Sequence, residues 1–296
     1  MRVAVTGSHG LIGSGLLDAL HTRGDEAVRL VRDQPQPGEA RWEPAEGKID
    51  AKALEGVDAV VHLAGVGIGD RRWSDEHKRA VLDSRVQGTT LLARTLASLT
   101  DRPSVLVSAS AVGYYGDRGD EVLTEDAGPG TGFLSEVCEQ WERSTAPAKD
   151  AGIRVAHLRT GLVMSREGGA LKQMLVPFRL GAGGRIGSGR QWWSWIAIDD
   201  ELGAILHVVG DDTVRGPVNL TAPNPVTNAE FTKTLGKVLG RPTLLPTPTF
   251  ALKALFGGDA VDEMFLGGQR VVPAKLEATA YEFRHPHLEP ALRALL

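Results

Sequence analysis

Residues 3–20 read VAVTGSHGLIGSGLLDAL, and this stretch decides the fold. Val3, Ala4 and Val5 form a short apolar run of the kind that becomes a buried strand. A turn with glycines at 7, 10 and 13 follows, and then an amphipathic helix pattern. Gly7 permits the sharp strand-to-helix turn, Gly10 lets a pyrophosphate approach the backbone, and Gly13 lets the helix pack close to the sheet. The helix N-terminus adds free N–H groups and a partial positive charge. With 36 glycines in the chain, the spacing alone is a weak signal; the strand before it and the helix after it make it a dinucleotide-binding one. The cofactor-facing set at this turn is Gly7, Ser8, Gly10, Leu11, Ile12 and Gly13.

The second strand selects the cofactor. An acid about 20 residues after the glycines binds a ribose 2′-OH and favours NAD, whereas an arginine accommodates a 2′-phosphate. Here Ala27–Val31 runs into Arg32, and Val31 takes the acid's place. Asp33 falls beyond the strand end. Arg29 alternates with Val28 and Leu30 and reads as an exposed strand residue. Arg32 is either a solvated loop charge or the phosphate partner; the second reading makes the cofactor NADP(H).

Composition narrows the function classes. The net charge of −4 argues against nucleic acid or anionic membrane as partner. Cys138 is the single cysteine, which rules out an internal disulfide and fits the cytoplasm. No apolar run approaches the roughly 20 residues of a membrane span. Residues 1–20 enter a strand directly, with no basic leader and cleavage site, so no secretory signal is expected.

Strands are predicted at 2–6, 27–31, 58–63, 104–108 and 153–159, and helices at 11–23, 76–99 and 134–150. Apolar strands alternating with helices give a Rossmann-type, doubly wound parallel α/β sheet with its ligand crevice at the strands' carboxyl ends. After about residue 160 the chain changes character: Gly- and Pro-rich segments separate short helices, clearest at 228–240 and 288–295. The expected division is a dinucleotide-binding domain over 1–165, with 190–212 returning to it, and a smaller C-terminal α/β substrate domain over 166–296.

With TGSHGLIG at 6–13, HLAG at 62–65, SASAVGYYG at 108–116 and LRTG at 158–161, the chain resembles the extended short-chain dehydrogenase/reductase superfamily. The blocks 71–85, 168–200, 216–231 and 241–248 resemble one atypical branch of it, the NADP-binding "epimerase family" proteins, often labelled NAD-dependent epimerase/dehydratase-like. The resemblance implies that Leu63, Ala64 and Gly65 pass along the cofactor. It also implies that Ser108 ends its strand beside the nicotinamide and that Ser110 takes the catalytic serine position. Arg85 stands where typical members have an asparagine; it is either a cofactor contact, as the branch implies, or a surface charge on its helix.

Hydride-transferring and epimerising members use Tyr-x-x-x-Lys, in which the lysine lowers the tyrosine pKa from about 10. The three tyrosines here, 114, 115 and 281, are followed four positions later by Arg118, Gly119 and His285. No such pair exists. Aligning Glu142 of FLSEVCEQWE with the family's trailing glutamate puts Leu134 and Cys138 at the two positions. Tyr114 or Tyr115, aided by Ser110 and by Arg118 one turn on, is one replacement for the proton donor. Cys138 is another, although a lone helical cysteine without basic neighbours is usually inert core.

Trp192, Trp193 and Trp195 either line a substrate site or wedge two domains together, with Trp193 and Trp195 sharing one face of a strand. Asp199 and Asp200 fit a helix cap better than a metal site. Arg159, Arg185 and Arg190 suit an oxyanion on a substrate. The histidines show no metal-ligand spacing, no metal is expected, and no GxxxxGK[ST] loop occurs. Two classes remain. One is an NADP(H)-dependent oxidoreductase or epimerase/isomerase on an unknown small molecule, either a nucleotide sugar or a small carbonyl compound. The other is a non-catalytic NADP(H)-binding regulatory protein.

Overall fold

The structure, a computed structural model, describes residues 1–296. The chain opens with β1 (Arg2–Thr6), α1 (Leu11–Thr22), β2 (Glu26–Val31), β3 (Glu39–Glu43), β4 (Lys48–Ile49), β5 (Ala59–His62) and the long α2 (Asp75–Ser98). Next come β6 (Val105–Ala111), β7 (Val122–Leu123), α3 (Phe133–Arg143), α4 (Ala146–Asp150) and β8 (Arg154–Thr160). Beyond them lie β9 (Leu162–Met164), α5 (Gly169–Arg179), β10 (Trp192–Trp193), β11 (Trp195–Ala197), α6 (Ile198–Gly210) and β12 (Gly216–Leu220). The chain ends with β13 (Val226–Thr227), α7 (Asn228–Leu239), α8 (Thr249–Phe256), α9 (Gly258–Val261), β14 (Arg270–Val271), α10 (Ala274–Ala278) and α11 (Leu288–Leu295).

One eight-stranded sheet runs β12-β8-β6-β5-β1-β2-β3-β4. All its pairs are parallel except β3 with β4. This is a Rossmann-type doubly wound sheet. Strand order reverses at β1, with β2 on one side and β5 on the other, and that reversal opens a crevice at the carboxyl ends. Side chains alternate along β1, so Val3 and Val5 bury against Leu16 and Leu20 of α1 and Ala204, Ile205 and Val208 of α6. Ala4 faces the other side, with Leu92, Ala93 and Leu96 of α2. A third cluster joins Leu171, Leu175 and Phe178 of α5, Phe231 and Leu235 of α7, and Leu288, Ala291 and Leu292 of α11 around Trp195.

Local chemistry sets the helix limits. Ser74 caps α2 by accepting from the His77 N–H, and Asp75 and Glu76 stand in its positive first turn. Thr227 and Glu230 form a capping box on α7. Three expectations need correction. The helix predicted over 134–150 is two helices, because Pro147 lacks the N–H to continue the ladder and opens α4 instead. The strand predicted to stop at Ser108 runs on to Ala111, since pairing with β8 continues through Ala111 and Thr160. β12, not among the predicted strands, extends the sheet beside β8; its short GPVNL opens on Gly and Pro, which read as loop. No helix is long and apolar enough to cross a membrane.

Candidate functional site

The glycine turn lies at the reversal point of the sheet. Gly7 has φ +68°, and a Cβ there would sit 2.8 Å from the Leu63 carbonyl carbon. A Cβ on Gly13 would come within 2.2 Å of the Gly7 carbonyl oxygen, so glycine is what allows α1 to start this close to the strand. No side chain caps α1 and no acid stands in its first turn, which leaves its positive end open to an anion. Thr6 fixes the opposite wall: its Oγ1 accepts from the Leu63 and Ala64 N–H groups at 3.1 and 3.2 Å. The same hydroxyl meets His62 Nδ1 at 2.7 Å, and His62 Nε2 meets Thr89 Oγ1 at 2.9 Å. Burial pushes the His62 pKa down to about 4, so a neutral imidazole bridges two threonines.

A crevice of about 400 Å³ opens from this turn. Gly7, Gly10, Leu11, Ile12 and Gly13 line one end; Leu63, Arg85 and the β6 end at Ala109–Ala111 line its middle. Leu134, Val137, Cys138 and Trp141 of α3 form one flank, and Thr160, Gly161, Val163 and Glu201 the other. Leu134 and Cys138 therefore both face the cavity. Burial pushes the Cys138 thiol up to about 11, which keeps it protonated and poorly nucleophilic.

Ser110 lines the crevice and donates to Glu142 Oε1 at 2.8 Å. Arg159, on β8, grips both Glu142 oxygens, through Nε at 2.8 Å and Nη2 at 2.9 Å. Arg159 is thus committed inside the protein, while Arg185 and Arg190 are exposed; none of the three lines the crevice. The two tyrosines expected beside Ser110 do not line it either. Tyr115 is fully buried; its hydroxyl donates to Asn219 Oδ1 at 2.7 Å and accepts from Arg159 at 3.0 Å. Burial pushes its pKa up, opposite to what a proton shuttle needs. Tyr114 lies beneath the Arg159 guanidinium, 3.4 Å from its ring centre.

Other expected residues divide. Arg85 is buried rather than a surface charge. Its guanidinium stacks on Trp141 at 4.8 Å, Nη1 donates to the Val66 and Val81 carbonyls, and Nε has no partner. Gly65 sits against that guanidinium, at 3.2 Å from a Cβ position to Arg85 Cζ. Ser108 is fully buried inside the sheet, opposite His62, three residues before the strand ends, and does not reach the crevice. Ser8 is buried in the turn. Arg32 is exposed just past β2. Arg29, read from the sequence as a plain strand residue, instead reaches over the turn, 2.7 Å from His9 Nε2 and 3.4 Å from Ser8 Oγ, and pairs with Glu39 at 3.0 Å.

Trp195 is fully buried and Trp193 packs against the same cluster, whereas Trp192 stacks under Arg270 and donates to Asp120. None of the three lines the crevice. Asp199 and Asp200 do not cap α6, whose N-cap is Ala197 without a side-chain bond. Asp200 accepts from the Arg284 and His285 N–H groups at 2.7 and 2.9 Å, tying the C-terminal segment to α6. Glu201, which no sequence signal marked, is fully buried at the crevice wall.

A parallel sheet with a glycine turn, an open helix N-terminus and a crevice at the strand ends defines a dinucleotide-type site, and comparison with known proteins gives it a family. Residues 3–220 match the NAD dependent epimerase/dehydratase family, and residues 247–295 match a domain of unknown function, DUF1731. The chain belongs to the epimerase/dehydratase family, as an atypical extended short-chain dehydrogenase/reductase. It is 45% identical over 291 residues to Epimerase family protein Mb2239 of Mycobacterium bovis, covering 98% of this chain and 96% of that one. Human Epimerase family protein SDR39U1 is 38% identical over 299 residues, 100% of each chain. A solved structure of the human protein (isoform2) with NADPH superposes with a TM-score of 0.92 at 37% identity, covering 100% of this chain and 99% of that one.

Proposed function

We propose that this chain binds NADP(H) in the crevice and acts as an oxidoreductase or epimerase/isomerase on a small molecule. The observation that carries this reading is the continuity of one cavity from the glycine turn to Ser110. The relative solved with NADPH supports it. The α1 N-terminus and Gly10 would hold the pyrophosphate, Arg32 with Ser8 the 2′-phosphate, and Leu63, Ala64, Gly65 and Arg85 the ribose side. The residues fit the group: the turn is open, α1 is uncapped, and Arg85 Nε and Glu201 Oε2 stand buried without partners. When bound, the cofactor supplies a hydride donor or acceptor.

The chain's own contribution is a proton path. Ser110 Oγ already donates to Glu142. A substrate hydroxyl set against Ser110 passes its proton to Oγ as the serine proton moves to the Glu142 carboxylate. This replaces the tyrosine route, since Tyr115 is turned inward and Leu134 carries no proton. The C-terminal residues 166–296 would cover the substrate, either a nucleotide sugar or a small carbonyl compound. The single cysteine fits a reducing compartment, the cytoplasm.

The test is a screen of small carbonyl compounds and nucleotide sugars for NADPH oxidation, followed by Ser110→Ala. Loss of the serine should cut turnover by about 10²–10⁴-fold with NADPH affinity kept. Unchanged turnover in Ser110→Ala rejects the proton path. One feature favours a second reading: α3 faces the cavity with Leu134 and Cys138, neither fit for proton transfer. Tight NADPH binding without turnover across the screen would point to a non-catalytic NADP(H)-binding regulatory protein.

A further inference from the structure

Three ionisable residues line the crevice: Arg85, Cys138 and Glu201. Glu201 is the one acid, and its setting is unusual. It stands in the first turn of α6, fully buried. Thr160, the last residue of β8, donates its hydroxyl to Glu201 Oε1 at 2.9 Å. The other oxygen, Oε2, has no hydrogen-bond partner. A buried carboxyl oxygen left unpaired is unfavourable, and Glu201 is among the residues that line the crevice.

The sheet topology says which part of a dinucleotide reaches this point. The adenosine ribose belongs at the end of the strand after the glycine turn, which is β2, and the pyrophosphate at the α1 N-terminus. The second nucleotide therefore extends the other way, over the ends of β5, β6 and β8. Thr160 and Glu201 lie at that far end. Relying on the NADP(H) reading above, we propose that Glu201, positioned by Thr160, binds the nicotinamide carboxamide through its free Oε2. A primary carboxamide offers N–H donors and a carbonyl acceptor, so it pairs with the carboxyl in either protonation state.

Burial pushes the Glu201 pKa up to about 8, with the Thr160 hydrogen bond opposing. The groups facing it are few. Tyr281, near Glu201, is bonded to the preceding Asp200. Arg85 and Cys138 lie elsewhere on the crevice wall. Arg154 binds the far end of α6, at the Val208 and Val209 carbonyls. α1 packs against α6 through Gly15 and Leu202, and β9 and β11 present only apolar residues to it. The oxidised nicotinamide ring is cationic and the reduced one neutral. An ionised Glu201 therefore favours the oxidised cofactor, and preference for it should grow as pH rises through about 8.

Titration calorimetry with NADP⁺, NADPH and 2′,5′-ADP, which lacks the nicotinamide, tests this on the wild type, Glu201→Gln and Glu201→Leu. Glu201→Leu should weaken both complete cofactors by about ten-fold or more and leave 2′,5′-ADP unchanged. Glu201→Gln keeps the hydrogen bond, so it should keep NADPH affinity but lose the rise in NADP⁺ preference between pH 7 and 9. It also reports if the leucine variant does not fold. Equal effects on all three ligands, or none, overturn the assignment of Glu201. A wild type that binds 2′,5′-ADP but not NADPH also overturns it, and one that binds none of the three overturns the cofactor reading itself.

Discussion

Gly10 and Gly13 stand three residues apart in one turn, and their surroundings demand glycine for different reasons. Gly10 has extended backbone angles, φ −77° and ψ 170°, which any residue adopts. A Cβ there would meet only the Gly7 carbonyl oxygen, at 3.3 Å, so a larger side chain can be accommodated by the fold and would project toward the crevice. At Gly13 the added carbon would lie 2.2 Å from that same oxygen, inside the backbone packing. Gly10→Val should therefore abolish NADPH binding with little change in thermal stability. Gly13→Ala should cost about 1–3 kcal/mol through overpacking. NADPH fluorescence titration and thermal unfolding of both variants separate the two effects. Retained fluorescence enhancement in a folded Gly10→Val protein would put the cofactor elsewhere.

At the scale of elements, the end of β2 is where the proposed preference for NADP(H) is tested. Its last residue, Val31, offers no acid for a ribose 2′-OH, and Arg32 follows it exposed. Arg29 is already paired with Glu39, so Arg32 carries the uncommitted charge. A charge-assisted bond to a 2′-phosphate is worth about 1.5–3 kcal/mol, which converts to roughly ten- to a hundred-fold in affinity. Arg32→Ala should weaken NADPH by that factor and leave NADH unaffected, as read by calorimetry. Equal wild-type affinity for the two cofactors would remove the assignment. β1, the turn and α1 were legible because their signal is local: apolar run, glycine spacing, helix period. The end of β6 was not, since Ser108–Ala111 alternates only small serines and alanines, and past Ser108 it is held as strand only by its pairing with β8. The candidate site was half legible for the same reason. Ser110 meets Glu142 across 32 residues and Tyr115 meets Asn219 across 104, and no local pattern reports such contacts. Glu201 left no trace because it is one of three acids in the first turn of α6, and such acids look like dipole matching.

At the scale of the whole molecule, the C-terminal region holds a wall of the crevice in place. α3 carries Leu134 and Cys138 into the cavity, yet it begins at Gly132, φ +103°, with no cap of its own. Its first N–H groups are satisfied from far along the chain: Glu263 accepts from Phe133 and Leu134 at 3.0 and 2.8 Å. A carboxylate there also opposes the positive end of the helix. Glu263 belongs to the segment 247–295 that matches DUF1731, so that segment clamps the flank that presents Leu134 and Cys138 to the crevice. Glu263→Ala should cost about 1–2 kcal/mol, the loss of a cap with two charge-assisted bonds. The loss should be local. Amide exchange at residues 133–138 should speed up while the β1, β5 and β6 amides stay protected, and denaturant unfolding should report the drop in stability. Unchanged exchange across 133–138 would mean that packing of Val137 and Trp141 alone positions α3 and that the C-terminal segment does not brace the crevice.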